Sequence, residues 1–290
     1  MTSKFLRPSA PVDPALVRRL VRTALAEDLG RRGDVTSRAL IPATATGRAT
    51  IIARDSGVAA GLGIVGVVFH ALSPRVRFRP LVRDGARVPA STRIARLDGP
   101  LRAIMAGERV ALNLLQRLSG IATLTRQFVD RARPHQVVIL DTRKTTPGLR
   151  ELEKYAVRCG GGRNHRMGLF DAVLIKDNHI SAVGSPARAV ALARRRAKGL
   201  SVEVECESLA QVRNALGARP DIILLDNLAP GDTRRAIALI RRHRKIAIEL
   251  SGGVTLATVG RLARLRPDFI SVGALTHSAP ALDIALELAA

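Results

Sequence analysis

VVILDTRK, residues 137–144, decides how the second half of the chain is read. Four apolar residues, too few for a helix of their own, run straight into an acid, a hydroxyl and two cations. The pattern recurs. AVLI at 172–175 leads into Lys176, Asp177, Asn178 and His179, VEV at 202–204 into Glu205, and IILL at 222–225 into Asp226 and Asn227. IAIEL at 246–250 leads into Ser251, Gly252 and Gly253, and FISV at 269–272 into Gly273. These runs lack the strict alternation of a half-exposed strand, as expected of parallel strands buried on both faces. Most precede a helix-like segment, so the class is α/β: a (β/α) barrel or a doubly wound sheet. Neither eight strands nor a GxGxxG turn after the first strand is present, and an irregular, incomplete (β/α) barrel fits best.

Upstream the texture differs. Asp13-Pro14 followed by ALVRRLVRTALAEDLG predicts an N-cap, a first-turn proline and an amphipathic helix ending near Gly30. From about Ala49 to Leu97, the β-type runs ATIIAR, VRFRPLV and STRIARL alternate with Gly, Pro and Asp turn signals around an apolar helix-like stretch near 62–72. A long helix then follows, with Ile104, Ala111, Leu114, Leu115, Leu118 and Ile121 at helical spacing, linking the two halves.

Composition narrows the function classes. Of 290 residues 47% are hydrophobic, enough for a substantial core, and with no Trp, one Tyr and six Phe that core is aliphatic. Cys159 and Cys206 lack paired or metal-type spacing and read as free thiols of a reducing cytoplasm. MTSKFLRPSAPVDP has no apolar run for a signal peptide, and Val58 to Leu72 is too short for a membrane span, so a soluble cytoplasmic protein without a membrane partner is expected. The net charge of +23 admits nucleic acid, small polyanionic substrates, or simple preference for arginine on solvated faces. Scarcity of aromatic residues argues against a stacking platform for single strands, which makes nucleic acid the weakest of the three.

In a barrel the C-terminal strand ends share one rim, where catalytic groups collect. A single charged residue after a strand is more often a cap or turn former; five such endings with complementary chemistry are harder to dismiss. This rim would gather Arg143, Lys144 and Lys176, the carboxylates Glu205 and Asp226, and two glycine-containing loops suited to phosphate. Carboxylates beside phosphate-binding cations point to magnesium. The segment GGGRNHRMG, residues 160–168, sets Arg163, His165 and Arg166 in a glycine-rich loop that is flexible, packed close to a ligand, or both. Guanidinium forks there suit planar carboxylates, whereas a solvated linker would give them no role.

Together, ERVALNLLQRLSGIAT (108–123), DTRKTTPGLRELEKYAVRCGGGRNHRMGL (141–169), LIKDNHI (174–180), EVECES (203–208), LLDN (224–227), ELSGGV (249–254) and ISVGALTHSAPALDI (270–284) resemble the quinolinate phosphoribosyltransferase family, in order and over nearly the whole chain from Ala24. The resemblance implies an N-terminal α/β sandwich-like domain (1–116) and an open α/β-barrel catalytic domain (117–290). It also implies a homodimer, with further assembly left open. The implied reaction joins quinolinate to phosphoribosyl pyrophosphate with Mg²⁺, releasing CO₂ and giving nicotinate mononucleotide for NAD synthesis. Carried over by residue, Thr142, Arg143, His165, Arg166 and Lys176 would serve the quinolinate pocket, with Arg109 completing the neighbouring subunit's site. Lys144 would lie between the substrates, Glu205 and Asp226 would hold the ribose hydroxyls and the metal, directly or through water, and Ser251, Gly252, Gly253, Val272, Gly273 and Ala274, with His277 nearby, would receive phosphate. Rival expectations are a relative of the same fold associated with molybdenum uptake, a transferase for a monocarboxylate such as nicotinate, and, on charge alone, a nucleic-acid binder.

Overall fold

Asp13 opens the first helix as the spacing predicts: its carboxylate accepts from the Ala15 N–H at 2.8 Å, and Pro14 occupies the first helical position. The structure is a computed structural model that describes residues 12–243 and 245–289. Residues 1–11, which hold most of the stretch read for a signal peptide, lie outside the described residues.

The chain forms two compact units that are not consecutive in sequence. Among the described residues, one comprises 12–126, 151–161 and 278–289; the other comprises 127–150, 162–243 and 245–277. In the first, α1 (Pro14–Leu29) buries Val17, Val21 and Leu25, a stripe at intervals of four that faces the core. After α2 (Val35–Leu40) comes an antiparallel sheet in the order β12-β1-β5-β3, formed by β1 (Thr46–Ala53), β3 (Arg77–Pro80), β5 (Arg93–Pro100) and the last strand of the chain, β12 (Ile284–Leu288). In β1, Ala49, Ile51 and Ala53 are buried at every second position, so one face of the sheet is apolar. The small pair β2 (Gly57–Val58) and β4 (Arg87–Val88) flanks α3 (Leu62–Leu72), an apolar helix packed on α1 and β3. Helices layered on an antiparallel sheet give the sandwich-like arrangement expected of this region. The helix α4 (Leu101–Ala132) runs for 32 residues and buries Ile104, Ala111, Leu115, Leu118 and Ile121. Most of α5 (Arg150–Cys159) also belongs to this unit.

The second unit holds β6 (Val138–Leu140), β7 (Val173–Ile175), β8 (Val202–Cys206), β9 (Ile222–Asp226), β10 (Ala247–Ser251) and β11 (Phe269–Ser271). All six predicted runs are strands. They pair in parallel in the order β6-β11-β10-β9-β8-β7, and the two outer strands are not paired with each other, so the barrel is open. The helices α6 (Asp177–Val183), α7 (Pro186–Arg196), α8 (Leu209–Gly217), α9 (Pro230–Arg241), α10 (Leu256–Ala263) and α11 (Ala274–His277) supply the crossovers and the final turn. Ser185 and Ser208 cap α7 and α8 through their hydroxyls, and Pro186 and Pro230 sit at helix starts where no donor is lost. Every residue of β8 is buried, as the unbroken apolar pattern of a central parallel strand requires, yet two of its five residues are glutamates.

Candidate active site

Strand register fixes which side chains share the barrel's inner face. Glu205, Leu224, Glu249 and Phe269 align across β8, β9, β10 and β11, and Glu203, Ile222 and Ala247 align one step below. Asp226 pairs with Ser251 one step above. Because alternate residues of a strand share a face, Glu203 and Glu205 point the same way, as do Glu249 and Ser251.

The upper layer carries the rim chemistry. Lys176, at the start of α6, reaches across to Glu205 with Nζ 2.6 Å from Oε2. Carboxylate oxygens of Glu205, Glu207 and Asp226 all lie within 4.8 Å of one another, an all-oxygen donor set of the kind a hard cation takes. Asp226 also accepts from the Asn227 side-chain amide at 3.0 Å. In the following loop Gly252 has φ 93° and Gly253 φ 55°, and a Cβ on Gly252 would run into the Asn227 amide. Glycine is therefore required there both by conformation and by space. Gly273 makes a second close approach: a Cβ would sit 3.0 Å from Lys144 Cδ and 3.2 Å from His277 Nε2. The Thr276 hydroxyl donates to the Lys144 carbonyl at 2.7 Å and ties the loop after β6 to α11. Val272 is buried and its N–H donates to the Leu140 carbonyl at 2.9 Å, and Ala274 opens α11. The Thr142 hydroxyl accepts from the Lys144 N–H at 3.1 Å and shapes the turn that presents Arg143 and Lys144.

The glycine-rich loop is anchored rather than loose. Arg163 forms a parallel bridge with Leu140, and its N–H donates to the Ile139 carbonyl at 2.9 Å, so the loop lies along the free edge of β6. Buried Asp141 accepts from the Asn164 amide at 2.5 Å and from the His165 N–H at 2.9 Å. Asp171 accepts from the Met167 and Gly168 N–H groups at 2.9 and 3.0 Å. Arg150 joins this loop to the preceding one, donating to the Thr145 hydroxyl and to the Met167 and Arg143 carbonyls. Arg166 is held by the Ala172 carbonyl at 3.2 Å. Burial, and next the positive charge of Arg143, pull the Arg166 guanidinium below its ordinary value, so the two cations are close enough to repel.

Under this rim lies a second charged layer. His165 Nε2 is 3.0 Å from Glu203 Oε2 and 3.7 Å from Glu249 Oε2, both deep in the barrel. Burial and then the charge of Glu203 push the Glu249 carboxyl well above the usual range, with His165 opposing them. Cys206 is not a nucleophile here: burial, then Glu205, pushes its thiol up to about 12.

The barrel unit thus brings together all the predicted site residues except Arg109, which is exposed on α4 in the other unit. Sequence reading missed Asp141, Arg150, Asp171, Glu203 and Glu249. The last two had a visible signal, since a carboxylate inside VEV or IAIEL interrupts a run that should be apolar on both faces.

Fold and site define an open α/β-barrel protein whose strand ends form a rim of cations, carboxylates and glycine turns. Residues 34–119 match the N-terminal domain, and residues 121–287 the C-terminal domain, of quinolinate phosphoribosyl transferase. The chain is 45% identical over 266 residues to a probable nicotinate-nucleotide pyrophosphorylase (carboxylating) of Synechocystis, covering 91% of this chain and 90% of that protein. A Bacillus subtilis protein described in the same words is 43% identical over 273 residues, covering 94% and 93%. The solved nicotinate-nucleotide pyrophosphorylase of Francisella tularensis superposes with a TM-score of 0.92 at 39% identity, covering 98% of this chain and 100% of that one. The chain belongs to the quinolinate phosphoribosyltransferase family.

Proposed function

We propose that the protein transfers the phosphoribosyl group of phosphoribosyl pyrophosphate to quinolinate with loss of CO₂, giving nicotinate mononucleotide and pyrophosphate for NAD synthesis. The observation that carries this reading is the pair Arg143 and Arg166, on two loops that Arg150 ties together through the Arg143 and Met167 carbonyls, with Arg166 held by the Ala172 carbonyl at 3.2 Å and disfavoured by the charge of Arg143. Such a pair is costly to hold unless a dianion occupies it, and an arginine fork matches a planar carboxylate. Lys176 lies on the same rim, already paired to Glu205.

The chemistry needs positioning and charge stabilisation rather than a nucleophilic side chain. The pyridine nitrogen attacks the anomeric carbon of the ribose as pyrophosphate leaves, and Lys144 offsets charge gathering on the leaving group. Glu205 and Asp226 orient the ribose hydroxyls and stabilise the oxocarbenium-like state. Once alkylated, the ring nitrogen draws electrons from the adjacent C–CO₂ bond; CO₂ departs and a proton takes its place. His165 and Thr142 complete the acid pocket. Ser251, Gly252, Gly253, Gly273 and Ala274, with His277 nearby, receive phosphate oxygens at the glycine turns, while Val272, whose N–H donates to the Leu140 carbonyl at 2.9 Å, shapes the turn.

Mg²⁺ suits Glu205 and Asp226, with Glu207 as a third donor, because all three offer oxygen atoms within reach of one ion. When bound it neutralises pyrophosphate charge. We assign the working unit as a homodimer in which Arg109, exposed on α4, completes the neighbouring site, and the free thiols Cys159 and Cys206 support a reducing cytoplasmic setting. Among the described residues no helix is long and apolar enough to cross a membrane. The test is ultraviolet-monitored turnover with phosphoribosyl pyrophosphate and Mg²⁺, offering quinolinate and nicotinate side by side. Nicotinate mononucleotide and CO₂ from quinolinate alone are expected; no product from quinolinate rejects the proposal.

A further inference from the structure

The buried layer beneath the rim has no part in the chemistry above, and it is an expensive thing to keep. Glu203 is 4% exposed and Glu249 fully buried, and the neighbouring core residues Leu140, Ile222, Ala247 and Phe269 are apolar. Glu203 Oε1 and both oxygens of Glu249 make no hydrogen bond of good geometry, though the Ser271 hydroxyl and Glu203 are close enough to act on the Glu249 carboxyl. A buried carboxylate without a partner costs several kcal/mol, and an apolar side chain of similar volume would pack there more cheaply. His165, which enters from the loop beside β6, approaches both glutamates.

His165 is fixed at three points. Its N–H donates to Asp141 at 2.9 Å, its Nδ1 accepts from the Arg166 N–H at 2.8 Å, and its Nε2 faces the glutamates. With Nδ1 an acceptor, the ring proton sits on Nε2 and is donated to Glu203, so both ring nitrogens are engaged inside the protein. The imidazole therefore links the glutamates to the backbone of Arg166. Arg166 and Arg143 repel, and Glu203 is the first of the charges acting against that effect on Arg166. Negative charge on Glu203, linked through His165 to the Arg166 backbone, favours the charged Arg166 guanidinium.

We propose that Glu203 and Glu249 are positioning residues for acid binding: through His165 they seat Arg166 beside Arg143 before substrate arrives. This assigns His165 to the support of the pocket in addition to its wall. The inference rests on the quinolinate reading of the two arginines.

The experiment is steady-state kinetics of the full-length protein with each substrate varied, for wild type, Glu203→Gln, His165→Ala and His165→Asn, with a melting curve for each. Glu203→Gln keeps the volume and removes the charge; it is expected to raise the KM for quinolinate about tenfold while leaving the KM for phosphoribosyl pyrophosphate unchanged and kcat within about twofold. His165→Ala, which also removes part of the pocket wall, should raise the KM for quinolinate at least as much, and His165→Asn, whose amide oxygen can still accept from the Arg166 N–H, should recover part of that loss. Quinolinate KM at the wild-type value in Glu203→Gln, whatever His165→Ala does, overturns the positioning role alone. So does a parallel rise in both KM values with a lowered melting temperature, the mark of general loosening. A wild type that does not turn over quinolinate overturns the functional reading, and this inference with it.

Discussion

Two glutamates of β8, Glu203 and Glu205, point to the same side of the sheet, two residues apart, and live in different worlds. Glu205 meets a half-exposed lysine at 2.6 Å and shares its neighbourhood with Glu207 and Asp226. Glu203 meets a histidine at 3.0 Å among core residues, beside a second carboxyl pushed toward its neutral form. One pleat step, about 7 Å along the strand, separates charge available to a ligand from charge that can only act on the protein. Depth in the barrel, rather than residue type, sorts the carboxylates into two tasks.

Changes in the upper layer should be the more damaging. Arg143→Ala is expected to lower kcat/KM for quinolinate by about a thousandfold with the fold intact, through lost carboxylate binding and orientation; calorimetric affinity for quinolinate equal to wild type would erase the distinction between layers. Asp226→Asn, which keeps shape and removes charge from the oxygen-rich cluster, should lower kcat about a hundredfold. The same assay with chelator in place of Mg²⁺ should lose activity and regain it on adding the ion back.

In the lower layer, the ionisation of Glu249 should register in the pH dependence of stability. An ordinary glutamate ionises near 4.5. Below that value folded and unfolded chains both hold the Glu249 proton, and its stabilising effect is complete. As pH rises toward the folded value, the unfolded chain releases the proton while the fold retains it, so stability falls. Glu249→Gln cannot ionise. Its melting temperature relative to wild type should therefore be higher at pH 8 than at pH 5, and a gap independent of pH would contradict a neutral buried acid. The smallest effect expected is on encounter: with a net charge of +23 the protein should lose kcat/KM for its anionic substrates severalfold, by about two to five times, between low salt and 0.3 M salt.

What was legible in the sequence follows from where information is local. The six barrel strands could be read because each apolar run carries its own signal, the helix at 14–29 because cap, proline and apolar stripe sit within it or beside it, and the helix at 62–72 from its apolar run alone. Rim residues were legible because each directly follows a run. Two things were not. β12 pairs with β1 through Ala49 and Leu288, a contact set by the tertiary fold rather than by anything near Leu288 in sequence. The support under Arg166 depends on a histidine after β6 meeting glutamates of β8 and β10, a convergence that only strand order creates. Asp141 shows the middle case: its place after VVIL was visible, whereas its use in holding the Asn164–His165 backbone was not.

The pairing of β12 with β1 also sets an order of events during synthesis. Ala49 leaves the ribosome early, and its partner Leu288 only after all six parallel strands have been made. Until then β1 presents one edge of hydrogen-bonding groups without its native neighbour, an exposed template for a stray strand. Nascent chains halted before residue 284 should thus hold a barrel sequence in full beside a three-stranded sheet, and it is at this stage that a chaperone covering an open strand edge would matter most.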